Sequence, residues 1–111
     1  MNLKLDSSNF ESYINANKVP VLADFYSDGC VPCRRIAPLI SKAEREYTER
    51  LDFVKVNIGA NSELVTKYSI EAAPTIIIFK NGEEISRLRG AVDETAFKDF
   101  IDNALLQGEG L

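Results

Sequence analysis

The 111-residue sequence contains no histidine, no tryptophan and only two cysteines. A tetrahedral structural zinc site usually takes four cysteine or histidine ligands, so this chain would supply only part of such a set and we expect no metal site. No apolar run approaches the ~20 residues that a membrane-spanning helix needs. The first residues also lack the apolar stretch of a secretory signal. We therefore expect a cytoplasmic protein without membrane contacts, although a mature form whose leader had been removed would read the same.

The sequence also lacks an excess of basic residues. It carries 13 Lys and Arg against 17 Asp and Glu, for a net charge of −4. Proteins that bind nucleic acid usually present a basic face, so nucleic acid is not an expected partner. We find no repeat, linker or low-complexity segment. The sequence therefore predicts one domain over residues 1–111, long enough for a single core, and we expect it to be a monomer.

The two cysteines, Cys30 and Cys33, lie where a predicted strand ends and a predicted helix begins. Residues 19–27 form an apolar run typical of a strand buried on both faces. The first N–H groups of the following helix have no intrahelical partners, and the helix dipole there favours negative charge. A cysteine at this position is stabilised as the reactive thiolate, and the pair can exchange with another disulfide. The alternatives are half of a metal site or a purely structural disulfide. A disulfide that closes so short a loop removes little entropy from the unfolded state.

The rest of the chain alternates between strand and helix patterns. Segments that read as strands lie at residues 3–5, 19–27, 51–58, 74–80 and 83–88. Segments that read as helices lie at residues 9–17, 31–49, 62–68 and 94–106, with a kink expected near Pro38 and a frayed tail over 107–111. Ser8 and Glu11 fit a capping box, Asp93 fits an N-cap, and Asn81-Gly82 fits a two-residue hairpin turn. This order predicts an α/β fold with a mixed central β-sheet of about five strands and helices on both faces.

Seven short segments spread along the chain form a recognisable set: residues 21–25, residues 30–34, Ala37-Pro38, residues 55–58, Ala73-Pro74-Thr75, residues 79–83 and Gly90-Ala91. A Cys-x-Pro-Cys turn combined with a later Pro-Thr strand start is a specific combination. In these segments the chain resembles the thioredoxin family over nearly its whole length. The resemblance implies a thioredoxin fold and a protein-disulfide reductase whose dithiol passes two electrons to disulfides in client proteins. It also implies recharging by a separate thioredoxin reductase, and no bound cofactor, because the dithiol is the redox group.

The resemblance also implies roles for individual side chains. Cys30 is the expected nucleophile, left accessible by Gly29, and Cys33 is the expected resolving thiol, buried one turn further in. Asp24 interrupts an apolar strand, and burial of an unpaired carboxylate raises its pKa. By resemblance, Asp24 lies behind Cys33 and relays its proton through water, with Lys55 as its charge partner. The alternative is an ordinary structural ion pair at a strand end.

A docking surface for the substrate is expected around the cysteines, formed by Gly29, Val31, Pro32, Ala73, Pro74 and Gly90. Pro32 suits the first turn of a helix. By resemblance, Pro74 follows a cis peptide bond, and the backbone of Ala73 pairs with an extended segment of the partner. The alternative is a proline that merely starts an edge strand. Arg34 and Arg35 either meet acidic groups of a partner and lower the cysteine pKa, or are simply solvated.

Several positions near the cysteines depart from the family pattern, which usually reads Trp-Cys-Gly-Pro-Cys. Gly29 and Val31 replace the tryptophan and the glycine, Tyr26 stands where a second tryptophan is frequent, and Gly59 and Ala73 also differ. These changes bear on partner preference and potential more than on reaction type. Two further interpretations therefore stay open: a specialised electron donor to one dedicated partner system, and a non-catalytic binding module. A glutaredoxin-like or isomerase-like protein is disfavoured, because those usually carry Tyr or His inside the pair.

Overall fold

A computed structural model of the chain describes residues 3–108. Its sheet has the strand order β1-β3-β2-β4-β5. The strands are β1 (Leu3–Lys4), β2 (Val21–Tyr26), β3 (Asp52–Asn57), β4 (Thr75–Lys80) and β5 (Glu83–Arg89). The helices within these residues are α1 (Phe10–Ala16), α2 (Val31–Glu46), α3 (Ser62–Lys67) and α4 (Glu94–Gly108).

The sheet mixes parallel and antiparallel pairs, as the element order predicts. Strand β3 runs parallel to β1 and β2, whereas β4 runs antiparallel to β2 and β5. The predicted fold class is therefore confirmed. The main differences are at helix ends: α2 stops at Glu46, and α4 continues to Gly108. The predicted fraying at Gln107 and Gly108 is wrong, and the rest of that predicted tail lies outside the described residues.

Two apolar clusters cover the two faces of the sheet. The α2/α4 face packs Leu22 and Ile78 of the strands against side chains such as Ile36 and Ile101 of the helices. The α1/α3 face packs Phe25 and Phe79 against Phe10 of α1 and Leu64 of α3. Successive residues of β2 and β4 alternate between the two clusters, as the twofold side-chain period of a strand requires.

The predicted capping box at Ser8 and Glu11 is wrong. Helix α1 begins at Phe10 with Asn9 at its N-cap. The Ser8 backbone N–H and hydroxyl instead donate to Oδ1 of Asp6, at 2.9 and 2.6 Å. Glu11 forms a salt bridge with Lys67. Oδ1 of Asp6 accepts the Ser8 backbone N–H that Glu11 would accept in a capping box, and a local side-chain turn of this kind competes with a cap.

The two other local predictions are confirmed. The Ala96 N–H donates to Oδ1 of Asp93 at 2.9 Å, so Asp93 caps α4. Asn81 and Gly82 join β4 to β5 with φ values of 54° and 80°. The positive φ of Gly82 favours glycine, and a Cβ there would lie 1.7 Å from Oδ1 of Asn15, so a larger residue would also displace the Asn15 side chain.

Candidate active site

The cysteine pair lies at the start of α2, at the carboxyl end of the central strand β2. Cys30 is the N-cap residue, and the Cys33 backbone N–H donates to its Sγ at 3.1 Å. Pro32 lies in the first turn, where its lack of an N–H costs no intrahelical bond. The two cysteines form a disulfide, with their Cα atoms 5.2 Å apart. Both are half-buried, so the predicted deeper burial of Cys33 stays a prediction.

A second loop brings a proline to the disulfide. The peptide bond between Ala73 and Pro74 is cis, which confirms the prediction made from the resemblance. The Ala73 carbonyl oxygen lies 3.5 Å from Sγ of Cys30. The Gly90 N–H donates to the Pro74 carbonyl at 2.9 Å, which brings the end of β5 to the same place. The structure thus gathers three of the predicted docking residues beside Cys30.

The other predicted docking residues lie on the helix side of the disulfide. Val31 is 52% exposed, although it is a large apolar residue at a helix start. Pro32 and Gly29 are also exposed, and Gly29 has a φ of +71° with no atom within 4 Å of its position for a Cβ. Ala73 and Gly90 are half-buried, whereas Pro74 is buried. An apolar strip with accessible backbone therefore borders the sulfur atoms.

Asp24 is a buried carboxylate that lines the same cavity as the two cysteines. Its residue is only 9% exposed, and its neighbour across the sheet in β3 is Lys55. Within the described residues, Asp24 accepts no hydrogen bond and forms no direct salt bridge. Burial raises the pKa of Asp24 to about 6, while the positive charge of Lys55 acts in the opposite direction. Asp24 and Lys55 therefore interact through their charges over a distance.

Tyr26 follows Asp24 on the same face of β2 and contacts the lysine. Nζ of Lys55 lies 5.9 Å from the centroid of the Tyr26 ring, within the range of a cation–π interaction. Sequence reasoning placed Tyr26 only as a replacement for tryptophan and missed this contact. The twofold side-chain period of β2 and the pairing of Asp24 with Lys55 together explain why the three side chains meet.

A cavity of about 480 Å³ connects these groups with the disulfide. Its walls include both cysteines, Asp24, Tyr26 and Lys55, and on the helix side Arg34 and Ser41. Arg35, the neighbour of Arg34, does not line it. The sequence analysis missed this cavity. The one sequence feature that could have indicated it is Gly29, which leaves empty space where the family usually has a tryptophan.

The described part of the chain has neither a metal-binding cluster nor a membrane-spanning helix. Residues 3–108 contain no group of three or more His, Cys, Asp or Glu side chains that could hold a metal ion. None of the helices in that range is long and apolar enough to cross a membrane.

A disulfide at a strand-to-helix turn, with a cis-proline loop against it, defines a thiol–disulfide exchange site. The Thioredoxin family model matches residues 1–103. The chain is 33% identical to Thioredoxin 1 of Synechococcus elongatus over 86% of its own length and 90% of that protein. It is 41% identical to a thioredoxin of Griffithsia pacifica, with 91% and 92% of the two chains covered. Chloroplastic Thioredoxin M5 of Oryza sativa is 37% identical over 87% of this chain, which spans 56% of that longer relative.

The chain belongs to the thioredoxin family. It is a thiol–disulfide oxidoreductase of the protein-disulfide reductase type, and Cys30 and Cys33 are its redox pair.

Proposed function

We propose that this protein is a general reductant of disulfides in client proteins, with Cys30 as the nucleophile. The observation that supports this role is the placement of Sγ of Cys30. It accepts the Cys33 N–H at the start of α2, and it lies next to the Ala73 carbonyl in the cis-proline loop. A helix start stabilises a thiolate. The adjacent backbone of Ala73 can pair with an extended client segment that carries the disulfide.

The reaction proceeds in two exchange steps. The Cys30 thiolate attacks one sulfur of the client disulfide, which forms a mixed disulfide and releases the other client sulfur as a thiolate. Cys33 then loses its proton and attacks Sγ of Cys30. This step forms the Cys30–Cys33 disulfide and releases the second client thiol. The dithiol has supplied both electrons, so we propose that the protein needs no bound cofactor.

Asp24 is the proposed acceptor for the Cys33 proton. The carboxylate borders the same cavity as Cys33, and burial raises its pKa to about 6. A base that titrates near neutral pH can take up and release a proton in the working range. Lys55 lowers the pKa of Asp24 and so keeps the carboxylate in its accepting form. Water in the cavity would carry the proton between the two groups.

The proposed cellular setting follows from the same chemistry. We propose a cytoplasmic electron carrier that works as a monomer and is recharged by a thioredoxin reductase, without nucleic-acid or membrane partners. Some of its relatives bear chloroplastic names, such as the proteins of Oryza sativa and Spinacia oleracea. Cell fractionation of the native host, with detection of the protein in each fraction, tests this setting.

Reduction of insulin disulfides with dithiothreitol as the electron source tests the activity. We expect the wild type to accelerate the reaction and Cys30→Ser to lose the acceleration. Cys33→Ser should accumulate the mixed disulfide, because the resolving thiol is absent. Acceleration that survives in Cys30→Ser would exclude Cys30 as the nucleophile. Asp24→Asn should slow the reduction, and equal rates for that variant and the wild type between about pH 6 and 9 would remove Asp24 from the mechanism.

A second candidate function is electron donation to one dedicated partner. It is favoured by the altered surface at Gly29, Val31 and Ala73, which changes the part of the site that a client must cover. In that case insulin would not be reduced faster by the wild type, but Cys33→Ser would capture one partner from a host extract. A binding module would capture none through a disulfide, and its biological activity would survive replacement of both cysteines.

A further inference from the structure

Arg87 of β5 donates hydrogen bonds to the backbone at the end of helix α3. Its Nη2 donates to the Tyr68 carbonyl at 2.7 Å, and its Nη1 donates to the Ser69 carbonyl at 3.3 Å. Carbonyl groups at the end of a helix lack intrahelical donors, and the helix dipole there favours a positive charge. Arg87 therefore stabilises this helix end through both its hydrogen bonds and its charge. The exchange steps proposed for the cysteines do not involve this contact.

A bulge in β5 gives Arg87 an acidic partner on the same face of the sheet. Its Nε and Nη2 donate to the two carboxylate oxygens of Glu84, each at 2.7 Å. Residues three apart in a regular strand point to opposite faces. Here the pairing is shifted after Ile78, so the two residues lie opposite Phe79 and Ile77, which belong to one apolar cluster. The bulge thus places both charges on the α1/α3 face, where the forked ion pair fixes the direction of the guanidinium.

The backbone that Arg87 binds has a conformation that favours glycine, although the residue is a serine. Ser69 has a φ of +52°, in the left-handed region. Its N–H and the next N–H donate back to carbonyls of α3 at 3.3 and 2.9 Å, the Schellman arrangement in which glycine is usual. The Tyr68 and Ser69 carbonyls belong to the two peptide groups on either side of the Ser69 Cα. By binding both, Arg87 holds the two backbone dihedrals of this residue.

Ser69 begins the loop that carries the cis-proline to the cysteines. Four residues later, the Ala73 carbonyl oxygen lies 3.5 Å from the sulfur of the N-cap cysteine. The Thr75 hydroxyl donates to the Ala72 carbonyl at 2.6 Å and so anchors the far end of the loop at the start of β4. The near end is anchored by Arg87. The direction in which the loop leaves α3 depends on the dihedrals that Arg87 holds.

We propose that Arg87, oriented by Glu84, is a positioning residue for the reduction of protein disulfides. By holding Ser69 in its left-handed conformation, Arg87 sets the path of the loop. The path of the loop in turn sets where the Ala73 backbone meets an extended segment of the client. Arg87 thus acts through the loop and not on the sulfur atoms. This inference rests on the proposed pairing of Ala73 with the client.

Arg87→Met tests the role of the guanidinium, because methionine keeps much of the aliphatic chain. Two rates are measured for each protein: the single-turnover reduction of insulin by the reduced form, and the reduction of the oxidised form by dithiothreitol, which has no peptide backbone to pair. Because the chain has no tryptophan, both are followed by acid quenching, alkylation and mass spectrometry. We expect the insulin rate to fall by roughly threefold to tenfold. The dithiothreitol rate should stay within about twofold, because the cysteines are unchanged.

Arg89→Met is the matched control, because it makes the same charge change two residues further along β5. Arg89 is exposed, and its ion pair with Glu71 is longer, at 3.6 Å. Arg89 directly precedes Gly90 of the docking surface, so a pure effect of charge on insulin should be at least as large there. We expect Arg89→Met to keep the ratio of the two rates within about twofold of the wild type. An equal fall of this ratio in both arginine variants would overturn the proposal.

Two further variants test the path from Glu84 to the loop. Glycine adopts the left-handed conformation readily, so Ser69→Gly in the Arg87→Met background should recover most of the lost insulin rate. Glu84→Gln should lower the insulin rate by less than Arg87→Met does. It should add no further loss in the Arg87→Met background, because Glu84 acts through Arg87.

The outcomes separate this inference from the proposed function. An insulin rate of Arg87→Met within about twofold of the wild type, or no recovery with Ser69→Gly, would overturn the inference. So would a fall of the insulin and dithiothreitol rates by the same factor, since Arg87 would then act on the cysteines or on the whole fold. In each of these cases, insulin reduction by the wild type would still support the role of Cys30. No reduction of insulin by the wild type would reject the proposed function, and this inference with it.

Discussion

The two faces of strand β2 differ in what they bury. On the α1/α3 face lie Val21, Ala23 and Phe25, all almost completely buried. On the α2/α4 face the strand begins with Leu22 but continues with Asp24 and Tyr26 toward the cysteines. The apolar packing of this face thus gives way to charged and aromatic groups at the carboxyl end of the strand. One face of the same strand supports the fold, whereas the other positions the reactive groups.

Aromatic residues occur in the core of both faces, but among residues 3–108 only the α1/α3 face has a cluster of four rings in mutual contact. Four rings of the α1/α3 face, those of Phe10, Phe25, Tyr68 and Phe79, contact one another with centroids 5.3 to 6.2 Å apart. Three of these five contacts are edge-to-face, an arrangement that stabilises beyond the area that it buries. The Tyr26 ring on the other face lies near the ammonium group of Lys55 instead. The core of that face contains aromatic residues too, namely Tyr47, Phe53 and Phe97, so Tyr26 differs from them in bordering the site.

The largest expected effect on stability comes from disrupting the aromatic packing of the α1/α3 face. Phe10→Ala removes a fully buried ring that contacts three other rings. We expect a loss of about 3–5 kcal/mol in the free energy of unfolding, measured by urea titration of the oxidised protein. The activity per folded molecule should remain close to that of the wild type. A loss below about 1 kcal/mol would mean that this face does not carry the stability that we assign to it.

The next largest effect concerns the loss of stability caused by burying the ionised Asp24 on the α2/α4 face. Its pKa is about 6 in the folded protein against 3.8 for an unperturbed carboxyl, so the folded state binds its proton more tightly. Below about pH 4 the carboxyl is protonated in the folded and the unfolded state, so the free energy of unfolding is not affected. As the pH rises to about 6 and above, the free energy of unfolding falls by the order of 2–3 kcal/mol. Asp24→Asn should remove this loss of stability between about pH 4 and 6 and should be the more stable protein at pH 7. Urea unfolding of Asp24→Asn and the wild type at a series of pH values measures the free energy of unfolding of each. If it depends on pH in the same way in both proteins, Asp24 does not carry the raised pKa.

A smaller effect is expected from Lys55→Met. The lysine charge lowers the pKa of Asp24, so its removal should raise that pKa above the present value of about 6. The associated change in free energy is of order 1 kcal/mol, since the two groups are not in direct contact. Carbon NMR titration of the Asp24 carboxyl measures the pKa. Lys80→Met on β4 is the control, and an equal shift in both variants would show that only the overall charge matters.

The smallest effect concerns the ring that contacts Lys55. Tyr26→Leu should raise the pKa of Asp24 in the same direction as Lys55→Met but by less, because a cation–π contact at this exposure contributes about 0.5–1 kcal/mol. Tyr26→Phe keeps the ring and should keep the wild-type pKa. The same NMR titration compares the variants. If the Leu and Phe variants behave alike, the ring does not position Lys55.

Local chemistry was sufficient to predict several parts of the fold. The Asn81-Gly82 turn and the Asp93 cap depend on residues close in sequence, and both are present. The capping box at Ser8 failed because Asp6, also close by, offers a competing acceptor. The general lesson is that a local motif predicts well only when no neighbouring side chain can satisfy the same donor.

The site was less accessible to sequence reasoning. The cis bond before Pro74 leaves no trace in residue periodicity, and only the family resemblance predicted it. The position of Lys55 opposite Asp24 depends on the register between β2 and β3, two strands that are far apart in sequence. The cavity was not predicted because it lies where Gly29 has no side chain and where residues of α2 form one of the walls. Pattern analysis detects the residues that are present, and it does not detect the empty space between them.

The edge strand β5 has a consequence for how the protein behaves at high concentration. Four of its seven residues are charged, namely Glu83, Glu84, Arg87 and Arg89, and its pairing with β4 is interrupted near Phe79. An exposed, regular edge of a sheet invites the strands of other molecules, but charges and irregularities hinder such pairing. We therefore expect β5 to resist edge-to-edge pairing with the strands of other molecules when the protein is concentrated.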